Sequence, residues 1–119
     1  MSDRICLVVD DEPAIRTFLR LVLAREGLQT LEAGTAVQAL QIVQKLDGRL
    51  DLIVSDIKMP GDMDGVDLAH SVRNSFPNTA VLLISGYDNE PLRIRGFQLL
   101  RKPFYAGNDF ESGSSYSPG

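Results

Sequence analysis

The apolar residues of the chain fall into two kinds of stretch that alternate as far as about residue 101. Short, continuous apolar runs are typical of strands that helices cover on both faces of a sheet. The predicted strands are 4–9, 28–32, 50–55, 80–85 and, more weakly, 98–101. Segments with apolar residues at helical spacing separate the first four strands and are predicted as helices. This alternation predicts an α/β fold with parallel strands and helices on both faces.

Local signals mark where the predicted helices begin and end. Pro13 suits the first turn of a helix, Gly27 stands where a glycine commonly ends one, and Thr35 is a candidate N-cap. Pro77 stops the third helix. The predicted helices run from Pro13 to just before Gly27, from Thr35 to about Lys45, and from Val66 to Phe76. The residues predicted to face inward are Ile15, Phe18, Leu19, Val22 and Leu23 on the first helix, and Val37, Leu40 and Val43 or Leu46 on the second.

The expected architecture is a flavodoxin-like three-layer sandwich with five parallel strands in the order 2-1-3-4-5. Right-handed crossovers leave few topologies for this pattern, and this order is taken from known doubly wound sheets. Twelve residues, including Pro91 and Gly96, separate Ser85 from the fifth strand. Because a parallel crossover with its helix needs at least about 10–12 residues, the fourth helix is predicted to be short or absent.

The end of the chain lacks the pattern of a fifth helix. Residues 105–119 have no apolar residues at helical spacing and are rich in Gly and Ser, which is typical of a tail or linker. The sequence therefore predicts one domain over 1–106 and a non-helical tail over 107–119. A missing fifth helix would uncover part of the sheet, so we expect a homodimer or a docked tail.

Composition narrows the classes of function. The chain has 119 residues, enough for one domain, and 44% of them are hydrophobic. Its net charge of −4 and the lack of a basic stripe argue against direct nucleic-acid binding. The single cysteine, Cys6, lies in an apolar run and is interpreted as a small buried hydrophobe. No run reaches the ~20 apolar residues of a membrane helix, and no signal peptide is recognised, so we expect a cytoplasmic location.

Polar residues follow the predicted strands at the points where the strands end. Asp10 and Asp11 follow the first strand, Asp56 the third, Ser85 ends the fourth, and Lys102 ends the fifth. The carboxyl ends of parallel strands share one edge of the sheet, where ligands bind in folds of this type. We therefore expect the three carboxylates to converge in the crevice between the first and third strands.

A cluster of three carboxylates favours a bound divalent cation. The carboxylates repel one another, and Mg²⁺ relieves that repulsion while binding one or two carboxylates and phosphate oxygens. A carboxylate can act as a nucleophile and become an aspartyl-phosphate, with a lysine and a hydroxyl nearby to hold the phosphoryl oxygens. Taken alone, the acidic residues before Pro13 are also explained as an acidic start of a helix. The only histidine, His70, lies within the third helix and is interpreted as a surface or partly buried residue.

These residues resemble the response-regulator receiver family over about 3–104. The segments that carry the resemblance are Val8-Val9-Asp10-Asp11-Glu12, Ser55-Asp56-Ile57-Lys58-Met59-Pro60, Met63-Asp64-Gly65, Leu83-Ile84-Ser85-Gly86 and Lys102-Pro103-Phe104. Any one segment is a weak signal, whereas the set is highly specific. The resemblance implies a two-component signalling domain that accepts a phosphoryl group from a histidine kinase or a histidine phosphotransfer protein.

The resemblance also implies a role for each matching residue. Asp56 would be the phosphoacceptor, with Ser85 as the switch hydroxyl and Lys102 in contact with the phosphoryl group. Asp11, Asp56 and the backbone carbonyl of Lys58 would bind Mg²⁺, or Mn²⁺ in its place, and Asp10 would act through water. Such a domain is a regulatory phosphoacceptor that assists only its own phosphorylation and dephosphorylation. Leu99 stands where the family has an aromatic residue that turns inward, so the usual read-out is not expected here. Strand alternation places Phe97 on the same face as Leu99, and it would substitute only with a different register or loop.

Three other interpretations remain open. A pseudo-receiver would bind proteins without accepting phosphate, although the acidic residues, Ser85 and Lys102 are all present. The chain would also fit the receiver portion of a hybrid histidine kinase. An aspartyl-phosphate hydrolase is the enzyme alternative, but those enzymes resemble one another in an Asp-x-Asp pair after the first strand, where this chain has adjacent Asp10 and Asp11.

Overall fold

A computed structural model describes residues 4–85 and 96–101 of the chain. Its strands are β1 (Ile5–Val9), β2 (Gln29–Ala33), β3 (Leu52–Asp56), β4 (Ala80–Ser85) and β5 (Gln98–Arg101). Its helices within those residues are α1 (Pro13–Arg25), α2 (Ala36–Lys45) and α3 (Gly65–Ser75). The five strands form one sheet in the order β2-β1-β3-β4-β5, and every neighbouring pair is parallel. The predicted flavodoxin-like fold is confirmed.

The core is divided by the sheet into two sides. On one side, Leu7, Val9 and Ile53 pack against residues of α2 and α3 such as Val43 and Leu68. On the other side, Cys6, Val8, Val54, Ile84 and Leu100 pack against Leu19 of α1. Successive residues of one strand point to opposite faces, which explains why β1 supplies both sides in turn. The three layers leave the carboxyl edge of the sheet as the place where polar side chains gather.

The helix ends follow the local signals in the sequence. Pro13 is the first residue of α1, and at its end Gly27 has φ +85°. The amide of Gly27 donates to the carbonyl of Ala24, and the amide of Leu28 donates to that of Leu23, which is a Schellman motif. The hydroxyl of Thr35 caps α2 by accepting from the amide of Gln38 at 3.1 Å. These two helix ends flank β2, the strand that connects α1 to α2.

The predicted bounds of the third strand and one predicted inward position of the second helix were wrong. Asp56 is the last residue of β3 and does not follow it, since the strand covers Leu52–Asp56 and not 50–55. Val37 is 48% exposed, because α2 turns Ala36, Ala39 and Val43 toward the sheet. The small alanines are weak hydrophobic signals in a sequence, which is why the direction of this face was misjudged.

The second strand also differs from the expected pattern. It covers Gln29–Ala33 and not 28–32, and Leu31 is 38% exposed. β2 lies at an edge of the sheet, where cover on both faces is incomplete. Shifts of one residue also affect β1, which begins at Ile5, and α3, which begins at Gly65 and ends at Ser75. Differences of this size are ordinary at the ends of elements.

Several predictions fall on residues 86–95 or 102–119, outside the described part of the chain. They are the short or absent fourth helix, the non-helical tail over 107–119, and the boundary of the domain at residue 106. The homodimer or docked tail was predicted from that same tail and stays a prediction.

Cys6 is fully buried, as its apolar surroundings predicted. Burial raises the pKa of the thiol to about 12, so the reactive thiolate is scarce at pH 8. We expect a thiol reagent such as an aromatic disulfide to label the native protein at pH 8 at least about 100-fold more slowly than the protein in denaturant. Spectrophotometric labelling reads this directly, because the chain has one cysteine. Equal rates in the two states would contradict the burial of Cys6.

Candidate functional site

The first carboxylate of the site stands where β1 ends. Asp10 is fully buried, and its amide donates to the carbonyl of Ala33 on β2 at 3.1 Å. Its Oδ1 accepts a hydrogen bond from the amide of Glu12 at 2.9 Å, in the turn that leads into α1. The main-chain amide and the carboxylate of Asp10 are therefore each held by a hydrogen bond. The next residue, Asp11, is exposed.

The second buried carboxylate of the site is that of Asp56, the last residue of β3, which is 7% exposed. The hydroxyl of Ser55 donates to the carbonyl of Asp56 at 2.9 Å, and the amide of Ile57 donates to Ile84 on β4 at 3.0 Å. Gly65, the first residue of α3, packs so closely on the same carbonyl that a Cβ there would overlap it. The main chain around Asp56 is thus held from three directions.

The three carboxylates meet at the carboxyl edge of the sheet. One oxygen from each of Asp10, Asp11 and Asp56 lies within 4.8 Å of the other two. Three negative charges at this separation repel one another, and the burial of Asp10 and Asp56 increases the effect because water screens them poorly. A hard divalent cation, which prefers oxygen ligands, fits this set of three carboxylates. The exposure of Asp11 keeps one side of the cluster open to solvent, as Mg²⁺ requires when it retains waters.

The other predicted site residues are placed as follows. Ser85 ends β4 and is 1% exposed, one position beyond Ile84, which pairs in register with Asp56. Lys58, two residues after Asp56, has an exposed side chain. Lys102 lies outside the described residues, directly after Arg101, whose main chain pairs with Ser85. The acidic residues and Ser85 are thus found at neighbouring strand ends.

His70 lies apart from the acidic cluster, on the exposed surface of α3. The imidazole ring of His70 meets the ring of Phe97 edge-on, with 5.1 Å between the ring centroids. The guanidinium of Arg73 lies 3.6 Å from the centre of the Phe97 ring. Its interpretation as a surface residue is confirmed. Phe97 and Leu99 pack in one cluster, as the strand alternation predicted.

Sequence reasoning missed Arg16 and Glu32. The guanidinium of Arg16 donates to the carbonyl of Asp10 at 2.6 Å and to Oε1 of Glu32 at 2.9 Å. The hydrogen bond from Arg16 is the main reason that the pKa of Glu32 is lowered, so Glu32 is ionised at neutral pH. Nothing in the sequence pairs these residues, because one lies on α1 and the other on β2 and their contact depends on how the helix packs.

Comparison with known proteins identifies the family. Residues 6–105 match the family described as response regulator receiver domain. The chain belongs to this family. Receiver domains are regulatory modules of two-component systems that interact with histidine kinases or phosphotransfer proteins, and they bind Mg²⁺ at an acidic pocket.

Relatives of this receiver domain include proteins of different size. It is 39% identical over 87 residues to sporulation initiation phosphotransferase F of Bacillus subtilis, covering 73% of this chain and 67% of that protein. It is 36% identical over 104 residues to the sensor kinase CckA of Brucella abortus, covering 82% of this chain. The chain spans only 11% of the length of that kinase.

Solved structures of receiver proteins share the fold. The response regulator TrrA of Thermotoga maritima, solved in complex with Mg²⁺-BeF, has a TM-score of 0.76 and 29% identity, with 92% of this chain and 96% of that chain covered. The likeness supports the receiver fold that the strand order of the described residues indicates. No helix in the described part of this receiver is long and apolar enough to cross a membrane.

Proposed function

We propose that this receiver domain accepts a phosphoryl group on the carboxylate of Asp56 in an Mg²⁺-dependent reaction. The observation that carries the proposal is the meeting of one oxygen each from Asp10, Asp11 and Asp56 within 4.8 Å at the carboxyl edge of the sheet. Membership in the receiver family supports it. The position of Ser85 at the neighbouring strand end supports it further.

In this proposal, Asp11 and Asp56 bind Mg²⁺ directly together with the backbone carbonyl of Lys58, and Asp10 acts through a water molecule. Mn²⁺ is the expected substitute because it prefers the same oxygen ligands. The cation, when bound, supplies positive charge that offsets the charge of the carboxylates and of the incoming phosphoryl group. The cluster of three carboxylates offers only oxygen ligands and has one exposed member, and both properties fit this ion.

The transfer forms one bond and breaks another. A carboxylate oxygen of Asp56 forms an O–P bond while the N–P bond of a phosphohistidine breaks, and the electron pair of that bond stays on the imidazole nitrogen. Phosphoryl transfer asks the protein mainly for positioning and neutralisation of charge. The buried, tightly held Asp56 meets the first need. The hydroxyl of Ser85 and the amine of Lys102 are proposed to hold phosphoryl oxygens in the product.

The proposed donor is a histidine kinase or a histidine phosphotransfer protein in the cytoplasm, with no direct contact to nucleic acid. The net charge of −4 supports the last point, since DNA would be repelled. Two contexts remain for the domain, a stand-alone regulator and the receiver portion of a hybrid kinase. Similarity to part of a sensor kinase supports the second context. In either one the domain is proposed to regulate, assisting only its own phosphorylation and dephosphorylation.

Intact-mass spectrometry tests the proposal. Protein incubated with acetyl phosphate and Mg²⁺ should gain the mass of one phosphoryl group, because the acidic site then has both its donor and its cation. The gain should disappear when EDTA replaces Mg²⁺ and in the variant Asp56→Asn, whose amide is a poor nucleophile.

The matched control is Asp62→Asn, which neutralises an exposed carboxylate in the loop that follows β3. This variant should be phosphorylated like the wild type. A wild-type protein that gains no mass with Mg²⁺ would contradict the proposal and favour the pseudo-receiver. Undiminished gain in Asp56→Asn would show that another residue accepts the group.

A further inference from the structure

We propose that Arg16 is a positioning residue for the metal site. Its guanidinium fixes the peptide group that joins Asp10 to Asp11, so that the two carboxylates are held toward Asp56. This inference rests on the proposed function, because it assigns a role at the same acidic cluster. The inference adds Arg16, a residue within α1, to a site whose other proposed residues lie at or near the ends of strands.

The guanidinium of Arg16 bridges two parts of the sheet. One terminal nitrogen, Nη1, donates to the carbonyl of Asp10 at 2.6 Å, and Nε donates to Oε1 of Glu32 at 2.9 Å. The side chain of Arg16 is 19% exposed, so water competes weakly for these bonds. A guanidinium is planar and holds its donors in a fixed arrangement. The bond to Glu32 therefore sets the direction from which Arg16 meets the carbonyl of Asp10.

The carbonyl of Asp10 controls where Asp11 lies. The peptide that contains this carbonyl also contains the amide nitrogen of Asp11, and the group is planar. The amide of Asp10 donates to the carbonyl of Ala33. The carboxylate of Asp10 accepts from the amide of Glu12, and the turn that this bond closes restrains rotation about the Cα–C bond of Asp10 only jointly with the two backbone rotations of Asp11. The bond from Arg16 to the carbonyl fixes that rotation. Arg16 thus places Asp11, the exposed member of the cluster.

Arg20 provides a comparison within the same helix. It also donates to Glu32, with Nη1 at 2.6 Å from Oε2, and its Nε donates to the hydroxyl of Thr30 at 3.1 Å. Both arginines carry one positive charge and both bond the same carboxylate. The bonds of Arg20 lead to β2, whereas Arg16 reaches the Asp10 carbonyl as well. Arg20 is therefore a matched control for charge and for the ion pair.

Charge and positioning predict opposite results when Arg16 is removed. Loss of a positive charge near a cation site strengthens the binding of a cation, because one repulsion disappears. Loss of a positioning contact weakens binding, since the ligands must be ordered when the ion arrives. Groups that orient metal ligands typically change affinity by about 10–100-fold when removed. The sign of the change therefore decides between the two.

The experiment measures Mn²⁺ affinity by electron paramagnetic resonance of the free ion. We expect Arg16→Ala to weaken binding about tenfold relative to the wild type. Arg16→Lys should restore affinity to within about threefold, because an ammonium group donates to the Asp10 carbonyl but lacks the rigid fork. Arg20→Ala should bind Mn²⁺ as tightly as the wild type or more tightly. Circular dichroism establishes that each variant is folded, and Arg16→Gln replaces Arg16→Ala where the latter does not fold.

The outcomes separate this inference from the proposed function. Wild-type protein that binds no Mn²⁺ would overturn the proposed metal site, and the role of Arg16 with it. Wild-type binding together with unchanged or tighter binding in Arg16→Ala would overturn the role of Arg16 alone. Equal weakening in Arg16→Ala and Arg20→Ala would also overturn it, because the Glu32 ion pair would then account for the effect.

Discussion

Replacement of Gly65 by alanine is expected to destabilise the domain by about 2 kcal/mol and to slow phosphorylation of Asp56 at least about tenfold. Gly65 is the first residue of α3, and helix propensity, which favours alanine by about 1 kcal/mol in a helix interior, would favour it here by less. The tertiary contact reverses that preference, because the added Cβ would overlap the carbonyl oxygen of Asp56. Either the end of β3 or the start of α3 must move. Urea unfolding and the initial rate of mass gain with acetyl phosphate measure the two effects.

The matched control is Gly34→Ala, in the loop between β2 and α2. A Cβ on Gly34 would lie 3.5 Å from the nearest atom, a nitrogen of Arg16, which is an ordinary contact. We expect a change in stability of less than about 0.5 kcal/mol. A loss of stability in Gly65→Ala as small as the one expected for Gly34→Ala would show that a side chain at residue 65 is tolerated and that the packing around Asp56 is looser than described.

Mg²⁺ is expected to stabilise the wild-type domain by about 2.7 kcal/mol at a free concentration one hundred times its dissociation constant. Under the proposed function the ion is expected to bind the folded chain, where the three carboxylates meet, and not the unfolded chain, where Asp56 is apart from Asp10 and Asp11. In EDTA and low salt, where no cation offsets the repulsion, Asp56→Asn should be more stable than the wild type by at least about 1 kcal/mol. The physical reason is that the amide removes one charge from a buried, mutually repelling cluster. Urea unfolding of both proteins, with Mg²⁺ and with EDTA, measures the stabilisation by the ion and the difference in stability between the variant and the wild type.

Asp62→Asn is the control for charge outside the cluster. It removes one exposed carboxylate, so its stability should follow that of the wild type in both buffers. Two results would count against the acidic site. One is a wild-type protein whose unfolding does not respond to Mg²⁺, and the other is an Asp56→Asn variant that loses stability in EDTA.

The predicted site residues share one property, which is their place in the chain relative to a strand. Asp10 follows the buried run of β1, Ser85 ends β4, and Asp56 stands within one residue of the predicted end of β3. In a parallel sheet all carboxyl ends lie at one edge, so an approximate strand boundary is enough to bring such residues together. An error of one residue at β3 therefore left the predicted cluster intact.

The residues that sequence reasoning missed depend on how separate elements pack. Arg16 lies on α1 and bonds Asp10 and Glu32 only because α1 crosses the sheet next to β2. The steric role of Gly65 arises where α3 approaches the carbonyl of Asp56. Val37 was assigned to the wrong face of α2, since the helix uses its alanines for the closest approach. None of these relations has a periodic signal in the chain.

The sequence by itself determined the alternation of strands and helices, the caps at Gly27 and Thr35, and the presence of acidic residues at strand ends. These features depend on neighbours in the chain, and local spacing and backbone preference encode them. Only the tertiary structure decided that one oxygen from each of the three carboxylates lies within 4.8 Å of the other two. Only the tertiary structure decided, too, that Arg16 donates a hydrogen bond to the carbonyl between Asp10 and Asp11. The cluster joins Asp56 to Asp10 and Asp11, which are distant from it in sequence, and the Arg16 contact joins a helix to the end of a strand. The packing of the helices on the sheet therefore sets the geometry of both.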